Sequence, residues 1–145
     1  MLERIKKIRD VRQANNAFAR LLGIESLDIG LGCAKRRIVL DERHFNPLGG
    51  VHGGCLYSLA DNTGGDAAAS YGNWITTTSG SLNFLNPAIN LKEIICEARC
   101  VKAGKNIKVV NVEIFADDGR LLANGSFSYF DMKKPIGDFA FSALD

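Results

Sequence analysis

The sequence of 145 residues predicts an α+β fold in which a curved antiparallel β-sheet wraps around one long central helix. Two observations lead to this prediction. Between about residues 54 and 71, apolar and small side chains recur at helical spacing, with Leu56, Leu59 and Thr63 among them. From residue 75 onward, apolar and polar residues alternate, and turn residues interrupt the alternation. The long helix therefore buries its apolar side against a run of hairpins.

The segments before the long helix predict one further helix and two short strands. Residues 1–22 form the helix, with Gly23 as its stop and with apolar residues at helical spacing: Ile5, Ile8, Val11, Phe18, Leu21 and Leu22. The two strands cover residues 26–30 and 34–40. Residues 41–51 form a loop, and Gly72-Asn73 ends the long helix.

Four strands follow the long helix, at residues 75–85, 91–103, 107–116 and 121–130. The turn between the last two contains Asp117-Asp118-Gly119, a hairpin signal. Residues from about 132 to 145 predict a loosely attached tail. The whole chain, residues 1–145, is thus expected to form a single domain.

The composition is typical of a globular protein outside membranes. Hydrophobic residues make up 46% and charged residues 23%, and the net charge is only +2, so neither a nucleic-acid nor a membrane partner is expected. The charged start lacks the apolar core of a signal peptide. The spacing of the four cysteines fits no common zinc pattern, and we interpret them as small buried residues of a cytoplasmic protein without a bound metal: Cys33, Cys55, Cys96 and Cys100.

A glycine-rich segment, residues 46–54, leads directly into the long helix. Helix starts leave backbone N–H groups unpaired, and glycine lets a ligand approach them. Such a site suits a phosphate, a carboxylate or the oxyanion that forms when a carbonyl is attacked. Asn46 is a candidate second donor, although its side chain could equally cap local backbone. His52 is interpreted as fixing the loop rather than as a general base.

Asp61 is the acid that such chemistry requires. It lies within a mostly apolar or small stretch of the helix, and acids are rarely buried without a reason. Asp66 is the rival acid, but five residues place it about 140° around the helix axis, so the two acids cannot share a face. Thr77, at the start of the next strand, is a candidate for orienting Asp61 or a water molecule.

The helix geometry predicts a site shared between subunits. Gly54 and Asp61 lie about 10 Å apart along the helix axis. An oxyanion donor and an attacking group must both come within roughly 3 Å of one carbonyl. Two antiparallel copies of the helix would solve this, so we expect a homodimer.

Three blocks in this order resemble the hotdog-fold thioesterases of the phenylacetyl-CoA (PaaI-like) type, over about residues 15 to 131. The blocks are Asn46-Pro47-Leu48-Gly49-Gly50-Val51-His52-Gly53-Gly54, Leu59-Ala60-Asp61 and Ser81-Leu82-Asn83-Phe84-Leu85-Asn86-Pro87-Ala88. The resemblance implies hydrolysis of acyl-CoA thioesters by a dimer that pairs into a homotetramer. No cofactor is implied, because coenzyme A is part of the substrate.

The resemblance also assigns roles to residues. It implies that the Gly53 N–H is the oxyanion donor, with Asn46 and His52 as supporting neighbours. Asp61 of the facing subunit is then the nucleophile or general base, and Thr77 positions the attacking water. Candidates for the substrate-binding walls are Gly54, Leu56, Tyr57 and Phe84, each of which could also be ordinary structure. Lys102, Lys105 and Lys108 could hold the coenzyme A phosphates or form a solvated turn.

Two rival functions remain open at this point. One is a non-catalytic acyl-CoA-binding module, which would not need a buried acid. The other is a hotdog-fold dehydratase acting on 3-hydroxyacyl thioesters, which would pair His52 with Asp61. The acyl group is left open by the sequence.

Overall fold

A computed structural model describes residues 1–137 and shows an antiparallel sheet of six strands with a long helix packed against it. In chain order the elements are α1 (Leu2–Ala14), α2 (Ala17–Leu22), β1 (Ile24–Gly30), β2 (Cys33–Val39), a short 3-10 helix (Glu42–His44), α3 (Gly53–Ala69), β3 (Asn73–Phe84), β4 (Glu93–Ala103), β5 (Ile107–Ala116) and β6 (Leu121–Pro135). The strand order in the sheet is β1-β2-β4-β5-β6-β3. The predicted α+β hotdog architecture is confirmed.

Helix α3 packs against the core side of the sheet and contacts all six strands. Its inner side is made of buried apolar and small residues, including Leu59, Ala60 and Ala67. The facing strands supply alternate buried residues such as Ile94 and Ile114, as the period of two predicts. Strand β3 has 12 residues and lies at the edge of the sheet, paired only with β6 among the described strands.

The predicted single helix over residues 1–22 is wrong, because the chain forms two helices there. The break falls at Asn15–Asn16, and the Asn16 side chain caps α2 by accepting a hydrogen bond from the Ala19 N–H at 3.2 Å. Because a new helix begins at Ala17, the buried side of this segment changes. Ala19 is fully buried, whereas Phe18 and Leu21, two of the apolar residues at helical spacing, are 57% and 65% exposed.

The predicted tail from residue 132 also needs correction. Strand β6 continues to Pro135, which pairs with Asn73 at the start of β3. Asp131 and Lys108 form an ion pair at 3.0 Å that ties this end of β6 to β5, and Ile136 is buried. The remaining part of the predicted tail, residues 138–145, lies outside the described residues.

The four cysteines are free, as expected, but they are not equally buried. Burial raises the pKa of Cys55 to about 11 and that of Cys96 to about 12, so both stay protonated near neutral pH. Cys33 is exposed and Cys100 is half-buried, which corrects the prediction for these two. Within residues 1–137, no helix combines the length and apolar character needed to cross a membrane. A cytoplasmic location stays a prediction.

Candidate active site

The start of α3 leaves one backbone donor unpaired. His52 caps the helix: its Nδ1 accepts from the Gly54 N–H at 2.8 Å, and its carbonyl accepts from the N–H groups of Cys55 and Leu56 at 2.9 and 3.1 Å. Among residues 1–137, the Gly53 N–H has no acceptor. Because it also carries the partial positive charge of the helix start, it is the donor available to an anionic ligand.

The loop before α3 is held by Asn46. Its Oδ1 accepts from the N–H groups of Leu48 and Gly50 at 2.9 and 3.1 Å, and its own N–H donates to the Gly50 carbonyl at 2.7 Å. The side chain therefore caps local backbone, which was one of the two interpretations of the sequence. Its Nδ2 group has no acceptor within the described part of the chain, so the amide remains available as a donor.

Two histidines anchor this loop to the body of the protein. The His52 N–H donates to the His44 carbonyl at 2.8 Å. The buried His44 ring accepts from the Asp41 N–H at 3.0 Å through Nδ1 and donates to the Leu22 carbonyl at 2.7 Å through Nε2. Sequence analysis assigned no role to His44. Its partners are backbone groups. The Asp41 contact belongs to a capping box of the 3-10 helix, whereas nothing local indicates the contact with Leu22.

A cavity of about 360 Å³ lies beside Gly53. Phe84 forms part of its wall, and its ring lies against Gly53: a Cβ atom added there would come 3.3 Å from Phe84 Cζ. The other predicted wall residues do not line this cavity. Leu56 is buried in the core, the Gly54 N–H is used by the His52 cap, and Tyr57 packs on Phe127 with ring centroids 5.0 Å apart.

Asp61 is half-buried on α3 and receives two side-chain hydroxyls from the sheet. Thr77 Oγ1 donates to Asp61 Oδ1 at 2.8 Å. The Tyr129 hydroxyl contacts the Asp61 carbonyl at 2.9 Å and Oδ1 at 3.2 Å. Asp61 Oδ2 has no hydrogen-bond partner among residues 1–137. One carboxylate oxygen is thus held by hydrogen bonds, and the other is without a partner in this part of the chain.

Tyr129 was missed by sequence analysis. Burial, followed by the nearby Asp61 carboxylate, raises the pKa of Tyr129, so its hydroxyl stays protonated and donates. The available signal was a tyrosine at an inward-facing position of β6, two residues after Phe127. A buried tyrosine hydroxyl usually has a hydrogen-bond partner, but the sequence does not show which one.

Asp66 is the fully buried acid of α3, rather than Asp61. Its side chain is 1% exposed and pairs with Arg36 Nε at 2.6 Å and Arg12 Nε at 3.1 Å. Both carboxylate oxygens are therefore occupied by cations from β2 and α1. As the angular spacing predicted, Asp66 and Asp61 point to different neighbours, and Asp66 serves the core.

One chain alone does not bring the donor and the acid to the same carbonyl. Gly53 and Asp61 are eight residues apart on α3, a rise of about 12 Å along the helix axis. The three lysines considered for the coenzyme A phosphates are also not equally free to bind them. Lys108 is buried against Asp131, while Lys102 and Lys105 are exposed.

The sequence profile of the thioesterase superfamily matches residues 48–123, more than half of the chain. The chain belongs to the thioesterase superfamily. It is therefore a thioester hydrolase, and the predicted resemblance to PaaI-like hotdog enzymes is confirmed. The matched region contains His52, Gly53, Asp61 and Thr77, whereas Asn46 and Tyr129 lie outside it.

Individual relatives agree with this assignment. The thioesterase is 31% identical over 110 residues to a putative esterase of Schizosaccharomyces pombe, covering 74% of this chain and 68% of that protein. It is 28% identical over 109 residues to the acyl-coenzyme A thioesterase PaaI of Escherichia coli, covering 75% of this chain and 78% of the relative. The solved structure of E. coli PaaI, from the phenylacetic acid degradation operon, shares the fold with a TM-score of 0.89 at 23% identity, covering 94% of this chain and 99% of that one.

A resident metal was not expected for this thioesterase. Among residues 1–137, no three His, Cys, Asp or Glu side chains come together in a group that could hold one. That the reaction needs neither metal nor cofactor stays a prediction.

Proposed function

We propose that this thioesterase hydrolyses acyl-CoA thioesters to a free acid and coenzyme A. The observation that carries the proposal is the unpaired Gly53 N–H at the start of α3, beside an open cavity and the free Asn46 amide. These donors suit a carbonyl oxygen that gains negative charge. The E. coli relative named as an acyl-coenzyme A thioesterase supports coenzyme A as the leaving group.

The proposed reaction uses the donors at Gly53 and Asn46 and the carboxylate of Asp61. The thioester carbonyl oxygen accepts from the Gly53 N–H and Asn46 Nδ2, and each such donor contributes about 3 kcal/mol to the transition state. Asp61 Oδ2 either takes a proton from water as the water oxygen adds to the carbonyl carbon, or adds to that carbon itself. In both routes the C–S bond breaks, and the sulfur leaves as thiolate and is protonated. In the first route the added water gives the free acid directly. In the second route the acyl group stays on Asp61 as a mixed anhydride, and a water molecule then cleaves this anhydride, which releases the acid and restores the Asp61 carboxylate.

We further propose that Asp61 and Gly53 in each site come from different subunits of a homodimer. The separation of about 12 Å along one helix supports this, because a single carbonyl cannot lie within about 3 Å of both groups. The long edge strand β3 offers unpaired backbone groups, to which a second copy can add its own β3. Two such dimers would form the expected homotetramer. The expected location is the cytoplasm.

The rival functions find less support in the geometry. A dehydratase would need the His52 ring as a base, but its Nδ1 is used to cap α3. A binding module without catalysis would not need a carboxylate held by two hydroxyls with one oxygen free.

The activity is tested by thiol release from a panel of aryl, short-chain and medium-chain acyl-CoAs. We expect saturable hydrolysis of at least one class by the wild-type protein, measured with a thiol reagent. The acyl class with the highest kcat/KM would identify the substrate type. Binding of acyl-CoA without thiol release would favour the binding module, and loss of water from a 3-hydroxyacyl-CoA would favour the dehydratase.

Subunit mixing tests the shared site. Asn46→Asp removes the Nδ2 donor but keeps the oxygen that holds Leu48 and Gly50. Asp61→Asn removes the acid. If the sites are shared, each mixed dimer has one intact site, so random exchange restores about a quarter of wild-type activity. A mixture that native mass spectrometry shows to contain mixed dimers, yet is as inactive as its parents, would place both groups in one subunit.

A further inference from the structure

Two strands deliver their hydroxyls to the same carboxylate. Thr77 on β3 and Tyr129 on β6 are direct partners in the sheet register, so their side chains face the same side, toward α3. Directly after this pair the register shifts, between Thr77 and Ser79. Such irregularities alter the local twist and direction of side chains and are common beside active sites.

Helix α3 has a glycine at the point where the Tyr129 side chain approaches it. A Cβ atom at Gly64 would lie 2.4 Å from the Tyr129 hydroxyl oxygen, so only glycine leaves room for it. Gly64 follows Asp61 by three residues on α3, on an adjacent part of the helix surface. The absence of a side chain at this position therefore lets a fully buried tyrosine reach the acid.

We propose that Tyr129 is a positioning residue of the thioesterase, which holds Asp61 Oδ1 together with Thr77 so that Oδ2 is the oxygen that reacts. This inference rests on the proposed role of Asp61 in hydrolysis. Two donors on one oxygen, both from the rigid sheet, fix the rotation of the carboxylate about its last bond. The single Tyr129 hydroxyl proton is shared between Oδ1 at 3.2 Å and the Asp61 carbonyl at 2.9 Å, so the same hydroxyl also holds the helix backbone at this residue.

Tyr129→Phe tests the proposal. The ring still fills its place, and only the hydroxyl is lost. We expect kcat to fall about tenfold, as for the loss of a hydrogen bond to a charged group, while KM changes less than about twofold. In an Asp61→Asn background, the same change should cause no further loss of kcat. Tyr71→Phe is the control. It removes a hydroxyl just beyond the C-terminal end of α3 and should leave kcat unchanged.

Gly64→Ala is a second variant that keeps Tyr129 intact. The added methyl group occupies the space of the hydroxyl, so kcat should fall by a similar factor, again with little change in KM. If Tyr129→Phe and Gly64→Ala both fold and keep wild-type kcat, or raise KM alone, the positioning role is overturned.

A readout apart from activity separates this proposal from the proposed function. The ¹³C chemical shift of the Asp61 carboxyl group, measured by NMR, should change in Tyr129→Phe and stay unchanged in Tyr71→Phe. A changed shift without thiol release by the wild-type protein would refute the proposed function but support the contact. An unchanged shift would overturn the role of Tyr129 whatever the activity.

Discussion

Asp61→Asn is expected to lower kcat for thioester hydrolysis by about 10³-fold or more, because an amide neither accepts a proton from water nor attacks a carbonyl. Stability should change little. The side chain is half-buried, and the amide oxygen of asparagine can accept the hydroxyls of Thr77 and Tyr129 in place of Oδ1. The measurement is kcat from thiol release, with the thermal midpoint of unfolding beside it.

Asp118→Asn is the matched control for this change. Asp118 lies exposed on the β5–β6 hairpin, where its carboxylate accepts a hydrogen bond from Arg120, and it does not line the cavity beside Gly53. The variant loses one negative charge, as Asp61→Asn does, but both kcat and the thermal midpoint should stay close to wild type. Retention of more than a tenth of wild-type kcat in Asp61→Asn would contradict the assignment of Asp61 as the acting acid.

Asp66→Asn should have the largest effect on stability, lowering the free energy of unfolding by about 3–5 kcal/mol. The variant keeps the shape of the side chain but removes the charge that balances Arg36, which is 1% exposed, and Arg12. A buried cation without its partner is costly, since desolvation is no longer offset. Urea unfolding measures the loss, and kcat per folded molecule should stay close to wild type.

Glu25→Gln provides the comparison for Asp66→Asn. Glu25 pairs with Arg37 at 3.0 Å, but both side chains are well exposed, so the free energy of unfolding should change by less than about 1 kcal/mol. Equal losses of stability for the two variants would contradict the large stabilising role of Asp66. A loss of kcat in folded Asp66→Asn would show that its role is not purely structural. The two acids of α3 thus have opposite expected profiles, one catalytic and one structural.

Much of the fold follows from local patterns. The period of α3 and the alternation of β4 and β5 depend on which residues are apolar, and the observed bounds lie within a few residues of those predicted. The angular separation of Asp61 and Asp66 follows from helix geometry alone. By contrast, the break between α1 and α2 was missed, because it depends on a cap at Asn16 within a segment whose apolar spacing still fits one helix.

The sequence by itself determined the fold class, the glycine-rich helix start and the acid of the candidate site, because each is encoded by residues close together in the chain. Only the tertiary structure decided which acid is paired with cations, and that the Tyr129 hydroxyl joins the predicted Thr77 hydroxyl at the other acid. Asp66 meets Arg12 across 54 residues, and Tyr129 meets Asp61 across 68. The first contact depends on how α1 packs against α3, and the second on strand register and on the space left by Gly64. None of these is set by local residue preferences.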